Sequence, residues 1–538
     1  MERLVQGLGY GMNEIQYGTM IANAAPVSPW VTVVFGIILL GLIACLAFEE
    51  QLHAKKSVIA GGFAIVSLFL AASMGLLPFQ KVVIGSDPLV DHESLAGERL
   101  ERDGELTHVE IPAVHADGES EGTGGAVAAD EEPLVPVHVD GHRIGMPVYI
   151  PAIDWGVIAI IVGSSLFVDV TSKSGLFTWI AIKVTKFSGG DPLALLILYG
   201  LMTVVFSAVL NNVTAMIIVG SLTAVSLEKL GRNDKLLGFL LVEGLLTNVG
   251  GLLTLISSVP NIIVGTAANI SFIQFFYVSA PYVTVATLLT LALAAWRFQI
   301  HRLRGADEKE TARQLVSGFD EKDGIESWGV FWFGAAMLVL FIATIATTSV
   351  LPVISDLEMG FVALAFAGAM LLLHRHDVEK FYRALDWDLL GFFMGLFVVI
   401  HVMEHARVLD AIGSVLGAVM GWEESRGTSA VLVSSSVVSS VTDNIPLSAM
   451  LAKILGGMPD VAVQTADTQA SRYWWAVIFG ANLGGNITPI GSASTLVAAT
   501  IIHRHKLPLS FASFVKLAAP FAVLQIVIAV LYVLFVVP

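Results

Sequence analysis

The chain has 538 residues, of which 55% are hydrophobic and only 14% charged, with a mean hydropathy of +0.78. Soluble globular domains carry about 25% charged residues, so this composition argues against a soluble multidomain enzyme and defines an integral, multi-pass membrane protein. The net charge of −16 arises largely in one polar insert at about residues 85–146, so it says little about a substrate, and no nucleic-acid partner is expected.

In chain order, the first 27 residues lack a basic stretch leading directly into a short apolar core, and no cleaved signal peptide is expected. Apolar runs predict helical spans at about 29–48 and 57–79, with Cys45, the sole cysteine, inside the first. One cysteine excludes intrachain disulfides, zinc–cysteine sites and iron–sulfur clusters. His92, His108, His115, His138 and His142 are scattered through the acidic, glycine-rich insert, which reads as a solvated loop; extracellular metal capture is the sharper alternative. Alternating apolar residues in Leu134-Val-Pro-Val-His-Val fit a small folded cap at its end. Further spans are predicted at about 151–171, 236–268, 271–296, 328–350, 359–373, 387–405, 473–501 and 512–536. Several reach the roughly 20 apolar residues that cross a hydrocarbon core of about 30 Å, and such unbroken runs exclude a barrel. No G-x-x-x-x-G-K-[ST] loop is present, which argues against ATP-driven pumping.

Two polar-tipped segments interrupt this pattern, Ser207-Ala-Val-Leu-Asn-Asn-Val-Thr214 and Ser439-Ser-Val-Thr-Asp-Asn-Ile-Pro446. They predict hairpins at 192–228 and 429–456. Asn212 and Asn444 lie 232 residues apart (444 − 212), as do Asp154 and Asp386 (386 − 154), and Asn248-Val-Gly-Gly registers on Asn482-Leu-Gly-Gly at 234 (482 − 248). The chain is therefore duplicated. Lysine and arginine clusters mark cytoplasmic ends: Lys55-Lys56, Lys183/Lys186, Lys229/Arg232/Lys235, Arg297/Arg302/Arg304, Arg375/Lys380/Arg383 and Arg504/Lys506. Basic clusters on both sides of the first hairpin predict that it enters and leaves from the cytoplasm. The second hairpin, flanked by Glu423-Glu424 and by a loop with Asp460 and Asp467, is expected to enter from outside. The fold class read here is thus an all-α membrane protein of about ten transmembrane helices plus two reentrant hairpins in two inverted repeats. Its parts are 1–80 (two transmembrane helices), 81–150 (extracytoplasmic insert), 151–300 (repeat 1), 301–385 (cytoplasmic loop and linking helices) and 386–538 (repeat 2).

A turn at membrane depth leaves backbone groups unpaired, which is tolerated only against protein or a wet cavity. It also presents helix C-terminal carbonyls to cations and helix N-terminal N–H groups to anions. Asn211, Asn212, Thr214, Thr442, Asp443 and Asn444 add hard oxygen ligands suited to a small cation. Asp443 is the only carboxylate at either tip; a helix-capping Asx turn is the alternative role for these residues. Paired glycines in Asn248–Ser258, and glycines with Pro489 in Asn482–Ser494, weaken helix. They predict unwound spans exposing Thr254, Ser257, Ser258, Asn486, Thr488, Ser492 and Ser494, or close helix packing through small residues. The candidate ion- and substrate-binding set is completed by Asn248 and Asn482, with Na⁺ assigned to Asn212, Asp443 and Asn444. Asp169, Glu243, His401, Glu404 and His405 form a possible proton relay, with snorkelling at span ends as the alternative.

At these motifs the chain resembles the ion transporter superfamily, in particular its arsenite permease/NhaD-type sodium–proton antiporter branch, which includes the P protein and citrate-transporter-like domains. Asp154-Trp-Gly-Val-Ile, Leu210-Asn-Asn-Val-Thr, Thr442-Asp-Asn-Ile-Pro-Leu and Gly484-Gly-Asn-Ile-Thr-Pro-Ile-Gly-Ser carry the likeness. It implies secondary active transport of a small ion in a cell (inner) membrane, Na⁺ and H⁺ as transported or coupling ions without a resident cofactor, and Asp443 and Asn444 in cation or proton binding. The related anion/sodium symporters imply an elevator-like mechanism and a homodimer. Members often carry an aspartate where Asn211 stands and Ile-Gly-Asp-Pro-Pro-Asn where this chain has Ile256-Ser-Ser-Val-Pro-Asn261. Both departures delete a carboxylate from repeat 1. An anion permease for arsenite or a di- or tricarboxylate, and an ion-binding sensor without transport, are the alternatives.

Overall fold

The computed structural model describes residues 27–77, 81–84, 99–102, 105–108, 142–145, 149–322, 324–325, 327–348, 352–375, 378–442, 444–458, 461, 463 and 469–537. Two compact units result, Met1–Leu77 with Ala152–Pro538, and Pro78–Pro151. In the smaller unit, β1 (Lys81–Ile84) pairs antiparallel with β4 (His142–Gly145), and β2 (Arg99–Arg102) with β3 (Glu105–His108). His108 and His142 therefore lie on strands instead of a loop. His92, His115, His138 and the Leu134–Val139 segment fall outside the described residues.

The larger unit is helical. Two helices, α1 (Pro29–Ala47) and α2 (Lys56–Ser73), precede the first repeat. That repeat comprises α3 (Trp155–Lys173), α4 (Leu176–Phe187), α5 (Pro192–Val209), α6 (Asn212–Lys229), α7 (Asn233–Gly250), α8 (Val259–Ala267) and α9 (Phe272–Arg297). A strap helix, α10 (Ala306–Ser317), and the pair α11 (Trp328–Ala346) and α12 (Pro352–Leu373) follow, with non-helical backbone at Glu358 inside α12. The second repeat runs through α13 (Trp387–His405), α14 (Val408–Met420), α15 (Glu424–Ser439), α16 (Asn444–Gly456), α17 (Arg472–Gly484), α18 (Ala493–Arg504) and α19 (Phe511–Phe535). The repeats match element for element.

Local chemistry is duplicated too. Asp154 and Asp386 each open the first helix of a repeat by accepting the N–H three residues on, from Val157 at 3.0 Å and Leu389 at 2.9 Å. Such caps satisfy an orphan helix donor. Ser271 and Ser510 cap α9 and α19 in the same way, and each of those helices carries an internal proline, Pro281 and Pro520.

Among the described residues, eight helices are long and apolar enough to span a bilayer. The expected spans at 236–268 and 473–501 are not among them, because each is broken by non-helical backbone between α7 and α8 and between α17 and α18. The expected span at 359–373 is met by an apolar helix only over Leu357–Leu373, whereas the hairpin arm α5 does qualify as a span. Two elements were not anticipated, the amphipathic helices α4 and α14, which are too short to read as spans and lie between apolar neighbours.

The outer helices cross between repeats. Helix α12, just before repeat 2, packs on α3 of repeat 1, while α2, before repeat 1, packs on α13 of repeat 2. Glycines make both approaches possible: a Cβ on Gly163 would lie 2.4 Å from the Ala363 carbonyl carbon, and one on Gly395 would lie 2.9 Å from that of Ala60.

Both ends of the α5–α6 hairpin meet the segment after α9. Asp191 Oδ2 accepts the Leu303 N–H at 2.9 Å, and Lys229 lies 3.9 Å from the Phe319 ring centre. Lys183 and Lys186 both hold Glu321, at 2.6 and 3.1 Å. The hairpin thus begins and ends on one face. The α15–α16 hairpin behaves likewise: Glu424 at its start lies 3.8 Å from Arg472 beyond its end, and Arg472 Nε donates to the Val537 carbonyl at 3.1 Å.

The Lys183 and Lys186 hydrogen bonds hold the Glu321 carboxyl below the usual carboxylate range. Because the folded-state value is depressed, this anchor is in place above the unfolded value of about 4.3 and is lost as pH falls through the lower, folded value. Glu321→Gln is therefore expected to mimic at neutral pH what acid does to the wild type. Limited proteolysis within 306–325 should proceed faster in the variant at pH 7, and equal cleavage rates would show that Glu321 does not hold the strap.

Candidate functional site

Each hairpin tip is pinned to the broken span of its own repeat by the same pair of hydroxyl bonds. Ser207 Oγ donates to the Thr247 carbonyl and Ser439 Oγ to the Ala481 carbonyl, both at 2.6 Å. From the unwound side, Thr254 Oγ1 donates to the Ala208 carbonyl at 2.6 Å and Thr488 Oγ1 to the Ser440 carbonyl at 2.5 Å. The two threonine bonds satisfy carbonyls freed where the hairpins turn, as apolar surroundings demand. The glycines serve two purposes at once. Gly250 and Gly484 end their helices, and a Cβ on either would collide with the facing hairpin, 2.7 Å from the Val204 carbonyl oxygen and 2.3 Å from the Ser436 carbonyl oxygen. Unwinding and close packing, two alternative readings of the Gly-Gly pairs, occur together.

Between the tips, the repeats exchange side-chain partners. Asn248 Nδ2 donates to Ser492 Oγ at 2.8 Å, and in the mirrored contact Ser258 Oγ donates to Asn482 Oδ1 at 2.8 Å. Asn248 Nδ2 also reaches Asn486 Oδ1 at 2.8 Å, while Asn248 Oδ1 accepts from Asn212 and Ser494, each at 3.2 Å. Asn482 Nδ2 donates to Asn261 Oδ1 at 2.8 Å, and Asn261 Nδ2 returns to the unwound backbone at the Gly251 and Thr254 carbonyls. Ser257 Oγ closes the same loop by donating to Gly251 O. Helix packing follows this exchange: α6 lies on α18, and α16 lies on α8.

Of the expected site residues, Asn212, Asn248, Asn486, Ser492 and Ser494 share one hydrogen-bonded cluster of this polar layer, Thr254, Ser257, Ser258 and Asn482 belong to a second built around Asn261, and Thr488 bonds to the Ser440 carbonyl and the Gly491 N–H instead. Asn211 does not join it: its side chain is exposed and caps α6 by accepting the Thr214 N–H at 2.7 Å, the Asx-turn role. Thr442 Oγ1 donates back to the Val438 carbonyl of its own chain segment at 2.8 Å, and Thr214 is half-buried beside the tip. Asn444 is buried at the start of α16, where its carbonyl accepts from Ser448. Asp443 lies outside the described residues, as do Asp460 and Asp467.

Thr495, whose hydroxyl lies 2.9 Å from Ser492 Oγ, and two amides of the layer were missed. Asn261 was visible only as part of a motif, and Gln525 is a single amide in the apolar run of α19. Gln525 Oε1 accepts from Asn486 Nδ2 at 2.7 Å and Gln525 Nε2 donates to Thr290 Oγ1 at 3.0 Å, carrying the network from the unwound segment to the closing helices of both repeats. A lone glutamine inside a greasy span was the available signal.

The ionisable candidates do not converge. Asp169 is paired with Lys173 at 3.1 Å, and Glu404 with Lys453 at 3.5 Å. The His401 and His405 rings have centres 4.4 Å apart and are tilted by 55°, and His405 Nδ1 lies 2.9 Å from the His401 carbonyl oxygen. Glu243 is buried in α7, with one oxygen accepting from Thr223 at 2.6 Å and the other without a hydrogen-bond partner among the described residues. Among the described residues, no three His, Cys, Asp or Glu side chains gather as a metal site.

Among the described residues, seven helices long and apolar enough to span a bilayer accompany two polar-tipped hairpins, one arm of which is an eighth, and two broken helices, the make-up of a multi-pass membrane transporter. The chain belongs to the CitMHS citrate transporter family, whose model matches residues 134–480. It is 30% identical over 381 residues to an uncharacterized transporter of Mycobacterium tuberculosis, covering 71% of this chain and 86% of that protein. It is 26% identical over 474 residues to the P protein of Homo sapiens, covering 74% of this chain and 56% of that one. The YdaH transporter of Alcanivorax borkumensis shares the fold, with a TM-score of 0.51 at 12% identity over 72% of this chain and 86% of that structure. The names of the family and of the Mycobacterium tuberculosis relative denote transporters, which are not enzymes.

Proposed function

We propose that the chain is a secondary active transporter exchanging Na⁺, or another monovalent cation, for H⁺. In this reading both hairpins are re-entrant, the repeats are inverted, and the polar layer between them is the ion site, with Asp443 and Asn444 joining Asn212 at the tips. The observation that carries it is the make-up of that layer, in which amides and hydroxyls meet helix breaks and no basic side chain takes part. Neutral oxygen donors suit a hard cation. Lys229 and Lys453, the nearest lysines in sequence to the first and second tips, are engaged with the Phe319 ring and with Glu404. Movement is elevator-like alternating access, in the manner of repeat-built carriers, the protein acts in the cell membrane, and two copies form a homodimer.

A second reading has its own support. The matched family is described as a citrate transporter, and the N-termini of α6, α8, α16 and α18 are aimed from helix breaks, where partial positive charge favours an anion. A di- or tricarboxylate carrier using Na⁺ at the asparagines is therefore the rival, and a non-transporting ion sensor is the reading outside transport. Purified protein in proteoliposomes separates them. Dissipation of a preset pH gradient on adding Na⁺ or Li⁺ is the expected result. Uptake of labelled citrate or arsenite without cation-driven proton flux would replace antiport with anion transport, and binding without any flux would leave a sensor.

A further inference from the structure

The basic face of the larger unit holds a cavity that the transport reading does not use. Its volume is about 520 Å³, within the roughly 300–1,000 Å³ typical of small-molecule sites. It is walled by the end of α4 (Lys186, Phe187), the start of α5 (Asp191, Ala194), the segment after α9 (Arg302) and one face of α10 (Lys309, Arg313). Lys309 and Arg313 stand one turn apart and so share that face. The acidic residues of α10, Asp307, Glu308 and Glu310, do not line the cavity.

Four cations therefore surround one carboxylate, and that carboxylate is occupied. Asp191 Oδ1 accepts the Ala194 N–H at 3.0 Å and Oδ2 accepts the Leu303 N–H at 2.9 Å, so it is committed to holding the walls together. Lys186 is shared with Glu321. Arg302, Lys309 and Arg313 have no carboxylate partner among the described residues. The Arg313 side chain lies over the Gly189 turn, where a Cβ would be 3.7 Å from Arg313 Nε, and α10 closes on Gly190, whose φ of +75° no bulkier residue adopts easily. The cavity is thus shaped by a turn that only glycine serves well.

We propose that this cavity binds a phosphate group. Two arginines supply planar forks that match phosphate oxygens, and two lysines supply point charge. Phe187, 83% exposed, lies at the rim and gives it an apolar edge facing away from the protein core. Basic pockets beside transmembrane helices commonly take anionic lipid headgroups, so the phosphate comes either from a phospholipid or from a soluble phosphate compound.

The test compares wild type, the triple variant Arg302→Gln/Lys309→Gln/Arg313→Gln, and a control that removes equal charge outside the cavity, Arg232→Gln/Arg304→Gln/Arg504→Gln. Native mass spectrometry would count phosphatidylglycerol and phosphatidylcholine retained from nanodiscs, and calorimetry in detergent would measure inorganic phosphate and glycerol 3-phosphate binding. Melting temperature would verify that all three proteins are folded. Retention of phosphatidylglycerol over phosphatidylcholine, reduced at least tenfold in the cavity variant alone, supports the site with a lipid source. Binding of the soluble phosphates without lipid preference, lost in the cavity variant alone, supports it with a soluble source. Equal binding by wild type and cavity variant, an equal loss in the charge control, or no binding of any probe by the wild type overturns the proposal. None of these outcomes depends on which ion the protein carries.

Discussion

Gly484→Ala is expected to abolish transport while lowering thermal stability. Its new Cβ would sit 2.3 Å from the Ser436 carbonyl oxygen and 2.6 Å from the Ser439 Cβ. Both belong to the hairpin backbone or its near edge, so no flexible side-chain tip can yield. Overpacking of this kind costs about 1–3 kcal/mol. The displaced element is the hairpin arm whose Ser439 hydroxyl pins the tip to Ala481, so the geometry of the polar layer is disturbed together with the packing. Gly250→Ala, with its Cβ 2.7 Å from Val204 Cα and O, should reproduce the defect in the other repeat, whereas Gly368→Ala meets nothing within 4 Å and should be silent. Melting temperature in detergent and proteoliposome flux measure both effects. Wild-type flux in Gly484→Ala would show that the α15–α17 contact does not position the site.

The second large effect is expected from Asp443→Asn. In the antiport reading Asp443 carries its charge at membrane depth, which costs at least about 2.5–3.5 kcal/mol on insertion scales, so removal of that charge should leave the fold intact or stabilise it. Cation-driven proton flux should fall to the level of protein-free liposomes, because the asparagine keeps the shape and one acceptor but neither carries a proton nor neutralises a cation. A melting temperature at or above that of the wild type, combined with lost flux, is the predicted signature. Normal exchange by this variant would move proton coupling to another carboxylate, and buried Glu243, with one oxygen lacking a hydrogen-bond partner among the described residues, is the first to examine.

The duplication was legible because polar residues are expensive in a greasy chain and therefore stand out: Asn212 against Asn444, Asp154 against Asp386, and one Gly-Gly pair against the other all register by simple counting. Helix breaks at the paired glycines were legible for the same reason. The amphipathic helices α4 and α14 were not, since twelve or thirteen residues between apolar neighbours lack both the length of a span and the polarity of a loop. The crossing of α2 and α12 onto the opposite repeats was also hidden, because Gly163 and Gly395 mark close approach without naming the partner. The asparagine tips show the limit of residue type as a guide. Asn211 and Asn212 are adjacent and chemically identical, yet one caps a helix toward the surface while the other reaches Asn248. Which of the two turns inward is settled by the backbone path at Leu210, whose extended ψ of 162° separates the helices.

The traded Asn248–Ser492 and Ser258–Asn482 contacts bear on whether one half could stand alone. A half-length polypeptide ending after α9 would strand the amide of Asn248 and the hydroxyl of Ser258 in hydrocarbon, each at a cost of about 1–3 kcal/mol. Only a second half can lend the missing groups, so each half of the chain is completed by the other.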